Sequence, residues 1–138
     1  MKYVKFLIAL LICLSTNAQD IFGKWKTIDD ETGEEKSIVN IYKKEGKIYG
    51  DIVELLNNKK PNPLCDVCKG KNKNKPILGM TIINNMKPED DVYEGGTILN
   101  PSNGKVYKCR LKMEEPNKLQ VRGYVAFFYK TQYWVRAE

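Results

Sequence analysis

Cys65 and Cys68, in the stretch PNPLCDVCKGKNKNKPILGM (61–80), are thiols separated by two residues. That spacing serves a metal knuckle, a redox centre or a loop clip. A structural zinc site needs four nitrogen or sulfur ligands. The chain has no histidine, so Cys109 would have to be the third ligand and Asp66 a poor fourth. A thioredoxin-type centre places its first cysteine at a helix N-terminus beside a βαβ unit, where the dipole stabilises the thiolate. Nothing here reads as βαβ, although Lys69, Lys71 and Lys73 would lower a nearby thiol pKa. The remaining chemistry is a disulfide. A Cys65–Cys68 bridge would shape the loop more than stabilise the chain, because so small a ring removes little entropy. A bridge from either residue to Cys109 stays open if the loop folds over that strand.

Other catalytic groups are scarce. Without histidine the commonest general base, and the usual partner of a nucleophilic serine or cysteine, is missing. Asp51 and Glu54 are close in sequence but fall on opposite faces of a strand, which argues against a cooperating carboxylate pair. The acids of DDETGEE (29–35) lack the spacing of a calcium loop. The lysines of KGKNKNK (69–75) have no interleaved aromatics to stack bases, so they read as a solvated loop and not as a nucleic-acid site. The expectation is a protein that is not an enzyme and that carries no cofactor or metal. Thiol–disulfide exchange at Cys65 and Cys68 is the best version of an enzymatic alternative.

The compartment follows from the N-terminus. Lys2 and Lys5 precede an unbroken apolar run from Phe6 to Leu14, followed by Ser15, Thr16, Asn17, Ala18 and Gln19. This is the pattern of a secretory signal peptide over residues 1–19. The run is too short to span a bilayer. Residues 20–138 then form one domain in an oxidising compartment where disulfides persist. Removing Lys2 and Lys5 lowers the formal charge from +6 to +4, a mild excess that favours solubility.

The elements that position these residues read as short strands. GKWKTID (23–29), SIVNIY (37–42), KIYGDIVELL (47–56), GMTIIN (79–84), VYEGGTIL (92–99), KVYKCRLKM (105–113), KLQVRGYVA (118–126) and YKTQYWVRA (129–137) are separated by turn residues. The stretch NNMKPEDD is read as one such turn. Regular strands without an amphipathic helix predict an all-β fold, an eight-stranded antiparallel meander barrel. Alternation assigns faces. Tyr107, Cys109, Leu111 and Met113 share the inner side, as do Leu119, Val121, Gly123 and Val125.

In a closed meander the first and last strands are neighbours. Gly23, Trp25 and Arg136 are therefore read as a closure cluster, with the guanidinium covering the indole. This pattern resembles the Gly-x-Trp start and terminal arginine of calycins, the lipocalin-like barrels. The order of GKW, YGDIV, CDVCKG, KPILGM, YEGGTILNPSNGKVYKC, LQVRGY and QYWVR also resembles the DUF2147 family of bacterial exported proteins over the whole mature chain. That resemblance implies a small β-barrel exported by Gram-negative bacteria and supplies no activity or catalytic residue. Family members often carry a glycine in the turn before the last strand, whereas VAFFYKTQ has none.

The adjoining Gly95 and Gly96 predict a bulge or close backbone approach. Tyr93, Gly95, Tyr107, Arg122 and Tyr124 are the candidate ligand-binding residues, with barrel geometry alone as the competing account. The functional expectation is a monomeric exported barrel that binds a small hydrophobic molecule or envelope component. A surface-mediated interaction module acting through the cysteine loop is the alternative.

Overall fold

The computed structural model describes residues 20–137. The expected signal segment, residues 1–19, lies outside them. The strands are β1 (Gly23–Ile28), β2 (Glu35–Lys44), β3 (Lys47–Leu55), β4 (Thr81–Glu89), β5 (Val92–Asn100), β6 (Lys105–Glu115), β7 (Lys118–Val125) and β8 (Phe128–Arg136). They pair antiparallel in chain order, and β8 returns to β1 to close the barrel. The seam pairs Trp25 with Arg136 and Lys26 with Val135. Among the described residues the only helical element is one 3-10 turn, Gly70–Asn72, inside the cysteine loop.

Alternation drives this arrangement, because the side-chain period of a strand is two. On β6, Cys109 and Leu111 are buried while Lys108 is exposed. On β7, Leu119 and Val121 are buried and take Met113 and Leu111 as cross-strand partners. Closing the sheet leaves no free strand edge to aggregate.

One expected turn is a strand. β4 continues through Asn85 to Glu89, and the reversal comes at Asp90 and Asp91. Asn85 has φ 59°, a left-handed residue that interrupts the ladder between the Asn84–Thr97 and Lys87–Glu94 pairs. The bulge resets the alternation and returns Met86 to the core, so the sequence lost its period and read as a turn. On β5 the register shifts between Tyr93 and Gly96, where adjoining glycines suggested a bulge.

A meander sends its connections alternately to the two ends. Turns β2–β3, β4–β5 and β6–β7, the start of β1 and the end of β8 gather at one end, the floor. Turns β1–β2, β5–β6 and β7–β8 and the long β3–β4 loop gather at the other, the mouth.

The floor is filled. Ile21, Trp25, Ile41, Ile48, Met86, Leu111 and Leu119 are all at most 1% exposed. Arg136 locks it from outside. Its guanidinium carbon stands 4.2 Å from the Trp25 ring centroid. Its Nη1, Nη2 and Nε donate to the backbone oxygens of Phe22 (3.0 Å), Asp20 (2.9 Å) and Pro116 (3.1 Å). The planar fork satisfies three carbonyls where the residues leading into β1 meet the β6–β7 turn, which a lysine could not do. Inside, Trp25 Nε1 donates to the Ile21 oxygen at 2.8 Å, so the buried indole has no unsatisfied donor.

Candidate functional site

The mouth end encloses a cavity of about 560 Å³. Its walls are apolar: Ile52, Leu55, Ile82, Ile98 and Val121 line it, with Trp134 at its inner limit. Gly123 widens it opposite Tyr107. A Cβ on Gly123 would stand 3.3 Å from Tyr107 Cβ, so any larger residue would push the tyrosine aside.

A few polar groups punctuate these walls. Thr27 Oγ1 and Ser37 Oγ share a hydrogen bond of 2.9 Å, so each hydroxyl keeps capacity for a further partner. Trp134 Nε1 donates to Gln132 Oε1 at 3.1 Å, and Gln132 Nε2 reaches Asp30 Oδ1 at 3.4 Å. Asn103 Nδ2 donates to the Tyr107 hydroxyl oxygen at 2.9 Å, leaving the phenol proton free to donate. At the rim Lys130 pairs with Glu31 at 3.2 Å, and that hydrogen bond raises the lysine pKa.

The turns that frame the mouth are fixed by local chemistry. Asp29 Oδ1 accepts from the backbone N–H groups of Glu31 and Thr32, both at 2.9 Å. Those bonds hold its carboxyl below the ordinary value of 3.8. Cys65 and Cys68 are bridged to each other, and both are buried. Their loop packs on the β5–β6 turn, with Cys65 Sγ 3.6 Å from the Pro101 oxygen. Gly104, at φ +72°, makes that approach possible, since a Cβ there would sit 1.9 Å from the Val67 oxygen. The fourth turn, between β7 and β8, presents Phe127 and Phe128 at 98% and 78% exposure.

The five candidate binding residues do not form one site. Tyr107 lines the cavity. Arg122 and Tyr124 stand on the outer face of β7, because the inner positions are taken by Val121 and Gly123. Tyr93 pairs with Leu111 toward the floor, and burial raises its pKa, with a smaller push from Asp20. Gly95 lies at the β5 irregularity, with φ +83°. They lie on neighbouring strands, but alternation sends them to different faces. Cys109 is enclosed in the core as a free thiol, and burial pushes its pKa up to about 12. The sequence reading missed Gln132 and Trp134 as wall residues, although the period of β8 places Phe128, Lys130, Gln132 and Trp134 on one side.

The chain matches the family described as "Uncharacterized protein conserved in bacteria (DUF2147)" over residues 23–136. It belongs to this family. The match runs from the first residue of β1 to the last of β8, so the family pattern is the barrel itself. Among solved structures the chain is similar to one described as "Protein HP1028 from the human pathogen Helicobacter pylori belongs to the lipocalin family". The two share 19% identity and a TM-score of 0.75, covering 86% of this chain and 84% of that one. At that identity the likeness is one of fold, an eight-stranded lipocalin-like barrel. No curated protein matches the chain.

Proposed function

We propose that this barrel binds a small amphipathic molecule through its open end, as a monomeric, non-catalytic protein exported by a Gram-negative bacterium. The observation that carries the reading is the cavity of about 560 Å³ above a sealed floor. That volume lies within the range of roughly 300–1,000 Å³ common to small-molecule sites. Apolar walls take up the body of such a ligand, and the Thr27–Ser37 hydroxyls with Gln132 orient a polar group. Export is supported by the charged and apolar pattern of residues 1–19 and by a disulfide, which persists in oxidising compartments. Burial of the bridged cysteines, at 1% and 2% exposure, supports a loop clip over an exchange centre.

Trp134 supplies the test. Dodecanoate is titrated into the Trp25→Phe variant, in which Trp134 is the remaining indole, and binding is counted by native mass spectrometry. The expected result is one molecule per chain with a shift in Trp134 emission, abolished by Val121→Phe. Protein from its host that stays at apo mass, with no emission change for any amphiphile tried, would overturn the reading.

Docking of a protein partner to the cysteine loop is a second reading, supported by Leu64, Val67 and Leu78 at 49%, 45% and 48% exposure. Pull-downs with and without residues 61–76 separate the two, and identical partner sets remove the loop from consideration.

A further inference from the structure

Cations gather on the outer face of β6 and β7, away from the cavity. Register places Arg110 directly opposite Arg122, Lys108 opposite Tyr124 and Lys112 opposite Gln120. Lys118 joins them on β7, stacked on Tyr133 with its Nζ 4.8 Å from the ring centroid. Like charges directly opposite on an antiparallel pair destabilise a sheet. Acids on the same face would relieve that repulsion, but among the described residues the ion pairs all use Glu31, Glu34 or Glu35 near the β1–β2 turn. On β6 Glu114 accepts from Gln120 Nε2 at 3.0 Å, and Glu115 stands opposite Lys118 at the strand end; among the described residues neither forms an ion pair. Arg110 Nε is buried with no hydrogen-bond partner, and its Nη2 makes only a long contact of 3.4 Å to Gln120 Oε1.

These cations are also held in place. Arg122 Nε donates to Thr131 Oγ1 at 3.0 Å, and its guanidinium carbon lies 4.4 Å from the Tyr129 ring centroid. Part of the entropy cost of ordering the arginine on a partner is therefore met before binding.

We propose that this face binds a linear acidic polysaccharide, whose carboxylates or sulfates meet the Lys108, Arg110 and Lys112 row and Arg122. Alternate residues on a strand stand about 7 Å apart, so the row extends over about 14 Å. Repeated anions on a linear polymer match such a row, whereas a single small anion meets one cation. Tyr129 and Tyr133, 58% and 43% exposed, flank the row with rings suited to the apolar faces of sugars. Nucleic acid fits less well. Tyr124 and Tyr129 are tilted at 49° and Arg122 already covers Tyr129, so the rings offer no parallel slot for bases. A bilayer fits less well too, because the bare apolar side chains Phe127 and Phe128 sit at the hairpin tip and not among the cations. Tyr129 also borders the cavity rim, but Lys108, Arg110, Lys112, Arg122 and Tyr133 stand apart from it, and the proposal needs no ligand there.

The test uses the full mature chain with heparin, polygalacturonate, duplex DNA and phosphatidylglycerol vesicles at ionic strengths from roughly 0.05 to 0.5 M. The expected result is binding of at least one polysaccharide more tightly than DNA or vesicles, weakened by salt. Lys108→Glu with Lys112→Glu weakens that binding about tenfold. Both lysines are at least partly exposed, so thermal unfolding of the double variant stays close to wild type and confirms its fold. Arg122→Gln is the second variant and weakens binding without reversing a charge. Failure of both polysaccharides at low salt, equal binding by the variants, or preference for DNA or vesicles overturns the proposal. Dodecanoate titration of the same variants reads the cavity separately and is expected to be unchanged.

Discussion

The two ends of the barrel are built from the same eight strands and have opposite contents. At the floor, Ile21, Trp25, Ile41, Met86 and Leu119 close on one another, and Arg136 covers the indole. At the mouth, Gly123 and a wall of Ile and Val leave about 560 Å³ open. The difference lies in where bulk is placed. Each end has inward positions, but at the floor Ile21, just ahead of β1, is buried as well and accepts the hydrogen bond of the Trp25 indole on β1. At the mouth the connections are fixed by the Asp29 turn, the disulfide and the Gly104 contact. Stability is therefore concentrated at one end and access at the other.

Four changes break or sharpen that contrast. The largest effect is expected from Trp25→Ala, which empties the floor. Truncating a buried Trp costs about 3–5 kcal/mol, read as a fall in the midpoint of denaturant unfolding. Arg136→Lys comes next. It keeps the charge but cannot satisfy three carbonyls and lie flat on the indole, so a loss of about 2 kcal/mol is expected. Both should leave the affinity of folded protein for a cavity ligand unchanged, and loss of binding at full folding would refute the division of labour.

Changes at the mouth should be smaller in stability and larger in binding. Asp29→Ala removes two turn hydrogen bonds and is expected to cost about 1 kcal/mol, with weaker ligand binding by fluorescence titration. The same group gives an acid dependence. Its folded pKa lies below the ordinary 3.8, so its contribution is full above that value and is lost as pH falls through the lower folded value. Stability of the wild type should therefore drop more steeply below pH 3.8 than that of Asp29→Ala.

The smallest effect is a gain. Ala126, the first residue of the two-residue β7–β8 turn, has φ 51°, a left-handed conformation that favours glycine. Ala126→Gly should stabilise by up to about 1 kcal/mol, since the left-handed conformation costs an L-residue roughly that much. No change in melting temperature would show that Phe127 and Phe128 hold the turn.

Legibility in the sequence followed the range of the physics involved. Strand count, meander order and the inward side of Cys109 and Leu111 depend on a period of two that survives locally. The seam between Trp25 and Arg136 was legible because closing a meander forces its ends together. β4 was misjudged where Asn85 takes a left-handed conformation and resets the period. Tyr107 and Arg122 were grouped by sequence pattern, yet the sheet sends one inward and the other out. The same alternation puts Gln132 and Trp134 on the inner side, but the cavity they line exists only once the strands close around it.

By itself the amino-acid order determined an eight-stranded barrel, its sealing residues and the cysteines able to clip a loop, because backbone geometry and the burial of apolar groups act within each strand and its turns. Tertiary structure alone decided that one end is solid and the other hollow, which cysteines pair, and that Arg110 faces Arg122 across a row of unpaired cations. Those facts depend on register and on volumes summed over many strands, and no local window of the chain contains either quantity.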